Sequence, residues 1–487
     1  MSQHTPGPRA PEASRLPALT GMRFIAAAMV FFFHAVPERF FTSEHSQNVA
    51  NTIFYQGGWT GVGFFFILSG FILTWTMRAD DTTPAFLRRR FFKIYPLHLL
   101  TLIAAMMLAA WVAQASVSGR DVALQLLLLH SWSPDIMVRA SLNGVAWSLS
   151  CEALFYALFP ILIRIIGRIR PERLWRWAGA VVAAIFTVPF VADRLPDQEV
   201  FPAVNVTAAD LWLVYQFPGT RLLDFVFGII LARVVMEGRR LPLSFGGSAV
   251  LVAVAYVATP FFPSAYHLVA IMVVPLGLLV ASAARAESSR LRNWLSSRAM
   301  VWLGEISFAF YITHQLVQVY GHRFLGAGKT WDTPQAIGVI ALLFAVTLLL
   351  SWALYTLVEH PIMRRFATSR GERRDRAAQK KGPGPNPLSG QTADPEAEKA
   401  SAAPAARALR RSRRTARSGT RAISPGQATR PPSYFSRRAA HTGRRPEVGG
   451  KSRVPQSKRA HPPPASAVLI RSCARRRSHN RSDPCGG

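Results

Sequence analysis

The sequence predicts an all-α, polytopic integral membrane protein of about ten transmembrane helices, followed by a disordered basic C-terminal tail. Three observations carry this prediction. Half of the 487 residues are hydrophobic and only 17% are charged, against roughly 25% in an average soluble domain. Apolar runs suited to a bilayer core, which needs about 20 residues per helix, recur near 18–36, 60–77, 94–113, 144–163, 176–192, 213–235, 246–262, 266–284, 300–320 and 335–358. The net charge of +31 is also unevenly placed, with 27 basic and 7 acidic side chains in residues 371–487. Together these exclude a single soluble domain and a wholly disordered chain. Three cysteines, Cys151, Cys473 and Cys485, provide neither a disulfide framework nor a CxxC zinc pair.

The run Ala123–His130 is too short to cross and reads as interfacial or re-entrant. No small-residue cleavage site follows a short apolar core in the leader, so no cleavable signal peptide is expected. Lys and Arg stay on the cytoplasmic side of short loops. With the N-terminus inside, ten spans place 17 basic residues on inner loops (Arg78, Arg290 and Arg292 among them) and 6 on outer loops. Both termini are therefore expected in the cytoplasm, with the spans in the cell membrane. The domains follow: a disordered leader over 1–15, a membrane domain over 16–366 and a disordered Arg/Pro/Ser-rich tail over 367–487. The tail buries too little apolar surface to offset chain entropy. Its arginine clusters could lie on anionic lipid headgroups, but an extension without specific function is the preferred reading.

A charge at mid-bilayer costs at least ~2.5 kcal/mol, so each intramembrane ionisable group needs a reason. Arg23 and His34 in the first span are eleven residues apart, which puts both on one stripe, separated by about 16 Å along the helix. In the second span Gly63, Ser69 and Gly70 permit close helix approach. Arg88, Arg89, Arg90 and Lys93 follow at the inner mouth, where Arg90 and Lys93, one turn apart, can grip a polyphosphate. The ordinary alternative for them is the positive-inside signal. In the fourth span Ser148 and Glu152 share a face, and Glu152 is expected at the depth of His34, where it would raise imidazole basicity and fix the tautomer. Its alternative partner is Arg221 of the sixth span, which is followed by Asp224. In the ninth span Ser307, Tyr311 and His314 form a polar seam facing the bundle interior, and the tenth ends in Glu359-His360-Pro361.

These segments resemble the acyltransferase-3 family of multi-pass membrane proteins, over roughly residues 15–365. The resemblance rests on Arg23 with His34, on Phe65-Phe66-Ile67-Leu68-Ser69-Gly70-Phe71, on Trp147-Ser148-Leu149 with Glu152, and on Ser307, Phe308, Tyr311 and His314. Four such motifs in order are far more specific than any one. The chain departs from the family pattern at Lys93, where a second arginine is usual, at Gly63, often acidic, and at Asp224, usually glutamate. The resemblance implies transfer of an acyl group, acetyl foremost, from cytoplasmic acyl-CoA to a hydroxyl of a carbohydrate, glycolipid or macrolide-like acceptor. Acyl-CoA enters as co-substrate, with no bound cofactor and no metal. It also implies His34 as general base with Glu152 as its partner. Arg23, Arg90, Lys93, Ser69, Ser148, Arg221, Asp224, Ser307, Tyr311 and His314 are then the donor- and substrate-binding set.

A competing class is a proton-coupled transporter with a relay through His34, Glu152 and His314, but paired repeats with broken helices are not evident. Specific nucleic-acid binding by the tail is not expected, since Tyr434 and Phe435 are its only aromatic residues.

Overall fold

The computed structural model describes residues 16–77, 81–195, 200–201, 206–288 and 294–367. The expected leader and nearly all of the tail lie outside these residues, as do Arg78, Arg290 and Arg292. Ten principal helices are present among the described residues: α1 (Pro17–Ala35), α2 (Glu44–Trp75), α3 (Thr83–Trp111), α4 (Trp147–Gly167), α5 (Leu174–Ala192), α6 (Pro218–Met236), α7 (Phe245–Ala258), α8 (Ala270–Ser288), α9 (Arg298–Gly326) and α10 (Thr333–Leu354). Local chemistry sets several of their starts. Proline opens α1, α3, α6 and α10, where its missing N–H costs nothing. Ser43, Ser297 and Asp332 cap α2, α9 and α10 by accepting N–H bonds from Ser46, Met300 and Gln335.

Each of the ten expected runs falls on one of these helices. Seven helical stretches are long and apolar enough to cross a membrane. The other three expected spans fall short for visible reasons. Helix α6 contains Arg221, Asp224 and Arg233, α7 with its continuation to Phe261 is shorter, and α9 carries the polar seam together with Glu305. The single sheet among the described residues is a two-stranded antiparallel ribbon, Val200–Phe201 with Val206–Thr207, between α5 and α6.

The short run between α3 and α4 is folded into the bundle. Its polar side chains Gln125, His130, Arg139 and Asn143 are all buried. Arg139 donates to Gln216 at 2.6 Å, Gln125 to the Ser141 carbonyl at 2.7 Å and Asn143 to the Ile312 carbonyl at 3.0 Å. The Asn143 bond ties the start of α4 to α9.

Glycines decide which helices meet. A Cβ on Gly70 would lie 2.0 Å from the Phe225 carbonyl oxygen, and one on Gly228 2.0 Å from that of Ile67. Helices α2 and α6 therefore cross in backbone contact, beside the stacked rings of Phe155 and Phe225 at 4.8 Å. Gly63 is different: its Cβ would meet Leu276 at 3.5 Å and an Arg221 nitrogen at 3.9 Å, which is ordinary contact. Helices α1 and α9 cross at Gly304, where a Cβ would lie 1.9 Å from the Thr20 carbonyl oxygen. That crossing sets the spacing of the polar residues both helices carry. Gly228→Ala should destabilise the fold by about 3 kcal/mol or more, because backbone on both sides leaves nothing to yield. Gly246→Ala, where a Cβ meets nothing within 4 Å, is the control. Thermal unfolding in detergent distinguishes them, and equal midpoints would refute the crossing argument.

Candidate active site

His34 lies one residue from the end of α1 and His314 in the middle of α9. The α1–α9 crossing brings them together, with His314 Nε2 3.2 Å from His34 Nδ1. Two backbone carbonyls then assign the protons. His34 Nδ1 is 2.9 Å from the Val30 oxygen and His314 Nδ1 is 2.5 Å from the Tyr311 oxygen. A carbonyl only accepts, so both Nδ1 atoms carry hydrogen when the rings are neutral. The one Nδ1 hydrogen of His34 is then shared between the Val30 oxygen and His314 Nε2, and among the described residues the His34 Nε2 lone pair has no partner. An imidazole with its Nδ1 proton anchored and Nε2 bare is arranged to take a proton from a substrate.

Further along the bundle lies a cavity of about 50 Å³, lined among others by Arg23, Ser148, Glu152, Ser307 and Tyr311. The Tyr311 hydroxyl donates to the Val145 carbonyl at 3.2 Å, Ser148 to the same carbonyl at 3.2 Å, and Ser307 to the Gly304 carbonyl at 2.7 Å. The seam of Ser307, Tyr311 and His314 thus faces inward, and it connects the cavity to the histidine pair through Tyr311. Arg23 makes no hydrogen bond or ion pair among the described residues, and its guanidinium faces the cavity beside the Glu152 carboxylate.

The expected partnership of Glu152 with His34 is not formed. Glu152 accepts from the Tyr156 hydroxyl at 2.8 Å, and Ser69 of α2 interacts with the same hydroxyl. Among the described residues no hydrogen bond or ion pair joins Glu152 to His34. The reason is depth. Val145 is level with Tyr311, and Glu152 lies seven residues further along, about 10 Å deeper. The buried segment before α4 holds the start of that helix within the bundle, and Glu152 is level with Arg23, with which it lines one cavity.

At the inner mouth the grip expected of Arg90 and Lys93 is divided. Lys93 is paired with Glu359 from the π-helical turn Tyr355–Glu359 that follows α10. Arg89 pairs with Asp81 at 2.5 Å. Arg90 lies over the Phe86 and Tyr156 rings at 5.6 and 5.8 Å, and its buried Nε has no hydrogen-bond partner among the described residues. It lines a second cavity, of about 150 Å³, with Asp81, Phe86, Arg89 and Phe159. Arg221 and Asp224 form an ion pair at 2.6 Å, each 1% exposed, with the guanidinium over Phe66 at 5.2 Å. They line neither cavity, so neither is brought to the site as a binding residue. The alternative pairing of Arg221 with Glu152 is likewise replaced, since Asp224 holds the guanidinium.

One residue of this network escaped the sequence reading, and another, Glu359, was named there without its partner. Tyr156 is at i+4 from Glu152 on one helix face and could have been found from spacing. The contact of Glu359 with Lys93 spans 266 residues and has no local signal.

The family model described as an acyltransferase domain, acyltransferase-3, matches residues 16–356. The acyltransferase MdmB of Streptomyces mycarofaciens is 38% identical over 363 residues, covering 73% of this chain and 93% of that protein. The exopolysaccharide production protein ExoZ of Rhizobium meliloti is 25% identical over 63% of this chain and 90% of its own. The O-acetyltransferase OatA of Staphylococcus aureus is 21% identical over 72% of this chain and 57% of its own. No solved structure matches. With the family motifs standing on the helices that line the cavity and form the histidine pair, the chain belongs to the acyltransferase-3 family and is a multi-pass membrane O-acyltransferase.

Proposed function

We propose that this enzyme moves an acetyl group from cytoplasmic acetyl-CoA to a hydroxyl of a glycan, glycolipid or macrolide-like acceptor, with His34 as general base. The observation that carries the proposal is the bare Nε2 of an imidazole whose other nitrogen is anchored on the Val30 carbonyl. The acceptor hydroxyl gives its proton to Nε2 as its oxygen attacks the thioester carbonyl. The carbon–sulfur bond then breaks and the thiolate recovers the proton from the imidazolium, so no net charge is produced. Tyr311 and His314 hold the His34 side of the seam. Acetyl as the group moved is supported by the staphylococcal relative, an O-acetyltransferase, and a sugar acceptor by the rhizobial exopolysaccharide production protein.

Donor phosphates need positive charge, which Arg90 and then Arg23 supply from the inner mouth inward, Arg90 having no ion-pair partner among the described residues. Glu152 then balances Arg23 rather than His34. A cavity of about 50 Å³ is too small for the donor's pantetheine arm, which passes only when side chains such as Tyr311 move. The basic inner loops support cytoplasmic termini and placement in the cell membrane. The transporter reading has no feature that favours it over acyl transfer.

Membranes containing the protein, supplied with acetyl-labelled acetyl-CoA, should incorporate label into a lipid, glycan or secreted metabolite absent from a deletion strain. Failure to label any product would refute the donor. Arg90→Ala should raise the donor KM about tenfold with kcat little changed, because the contact exists in ground and transition states alike. An unchanged KM would move the donor away from the second cavity.

A further inference from the structure

Apart from the two cavities of the site, a third and larger one, of about 650 Å³, lies where α9 faces α3 and α10. Its floor runs from Thr313 to Leu325 of α9, and its walls from Leu100 to Leu108 of α3 and from Leu342 to Leu354 of α10. The volume falls within the roughly 300–1,000 Å³ of ligand sites. At one end the two walls are tied together. Lys93 of α3 pairs with Glu359 beyond α10, and the Phe92 ring stacks on Phe366 at 5.0 Å. Both contacts lie at the inner mouth, and the cavity opens between the helices above them. It is a groove closed at the donor end and open at the other.

Deep in this groove only a hydrocarbon chain is matched. Thr101 and Thr313 are the polar residues there, and each hydroxyl donates within its own helix, to the Leu97 carbonyl at 2.9 Å and the Ala309 carbonyl at 2.7 Å. Neither hydroxyl hydrogen is left for a ligand. From Leu342 to Leu354 the helix rises about 18 Å, against about 15 Å for one leaflet of a 30 Å hydrocarbon core. The groove is therefore as long as one lipid chain. At the open end the chemistry changes. Tyr320 lines the wall and Phe324, 89% exposed, stands beside it, as aromatic rings do at a headgroup boundary. Arg323 follows Leu316 by seven residues, or two turns less about 20°, so it continues the Leu316 edge of the groove about 10 Å further out. It makes no hydrogen bond or ion pair among the described residues, and its charge acts on Tyr320. Such a cation at the mouth of a one-leaflet apolar groove complements a lipid with net negative charge on its headgroup.

We propose that the groove between α3, α9 and α10 binds one chain of an anionic phospholipid of the leaflet opposite the inner mouth, with its phosphate at Arg323. The bound chain fills the gap between α3, which carries Arg90, and α9, which carries His314. Neither His34 nor the donor phosphates take part in this binding.

The test uses the full chain, extracted from native membranes in mild detergent, with bound lipid counted by native mass spectrometry. The wild type should leave the membrane with one retained anionic phospholipid. After delipidation it should bind phosphatidylglycerol about fivefold more tightly than phosphatidylcholine. Ala104 and Val346 stand on opposite walls, so A104W and V346F should each fill the groove and weaken phosphatidylglycerol binding at least tenfold. R323Q should bind both lipids alike, because the chain keeps its groove while the headgroup loses its cation. Glycerol phosphate, which has the headgroup charge and no chain, should not compete. Wild-type binding in A104W and V346F, checked for cooperative unfolding in detergent, would overturn the proposal; if one of them does not fold, the other decides. A fivefold preference that survives in R323Q, competition by glycerol phosphate, or a glycolipid retained in place of the phospholipid would overturn it equally.

Discussion

His34→Gln is expected to lower kcat for acyl transfer by about 10²–10⁴, with donor KM within about twofold of wild type. A hydroxyl is a poor nucleophile at neutral pH, and a positioned base contributes a factor of that order. The substitution isolates the base from the structure around it. A glutamine amide can still donate to the Val30 carbonyl and meet His314, so the contacts of His34 Nδ1 have a replacement. What is lost is the Nε2 lone pair. Donor binding should survive because Arg90 and Arg23 sit more than a turn away toward the inner mouth. His314→Gln should cost less, about tenfold, since an amide oxygen can accept the Nδ1 hydrogen of His34 and only orientation suffers. Single-turnover transfer of labelled acetyl in membranes separates these cases. Should His34→Gln keep more than about a tenth of wild-type kcat, the histidine pair is a packing contact and the base lies elsewhere.

How far the site was legible depended on whether the signal was local. Arg23 and His34 on one stripe, Ser307, Tyr311 and His314 on another, and Ser148 with Glu152 on a third all follow from helical periodicity, and the helices carry them as spaced. Gly70 was readable as a close-packing residue because small side chains admit backbone contact, although its partner Gly228 was not. Depth was the point of failure. Placing Glu152 beside His34 assumed that the fourth span begins at the membrane surface. The buried segment holding His130, Arg139 and Asn143 shifts that helix along its axis by an amount no hydropathy window records. Charge balance failed similarly. The inner mouth carries no acidic residue between Arg88 and Lys93, yet the fold brings Asp81 and Glu359 to it. Glu359 arrives through a π-helical turn, whose wider winding changes which face a residue presents. The family resemblance implies binding roles for Arg221 and Asp224, but three residues of spacing on one helix suffice to pair them with each other.

Lys93→Ala is expected to destabilise the folded protein by about 3–5 kcal/mol, the usual cost of removing one partner from a buried ion pair. Glu359 is 2% exposed and Lys93 25%, and among the described residues the Glu359 Oε2 lacks a hydrogen-bond partner, so without the Lys93 ammonium no described cation is paired with it. The loss should appear as a lower unfolding midpoint in detergent and reduced yield in membranes. Replacing both partners with apolar residues of similar size, Lys93→Met with Glu359→Leu, should recover most of it, because no charge is then left buried. That double variant also separates the two roles open to Lys93. A lysine that held donor phosphate would raise the donor KM when removed, even in a stable protein. A lysine neutralised by Glu359 has no charge to spare, and the double variant should keep its donor KM within about twofold while Arg90→Ala does not. A raised KM in the stable double variant would return Lys93 to the donor site, with Glu359 released when the donor binds.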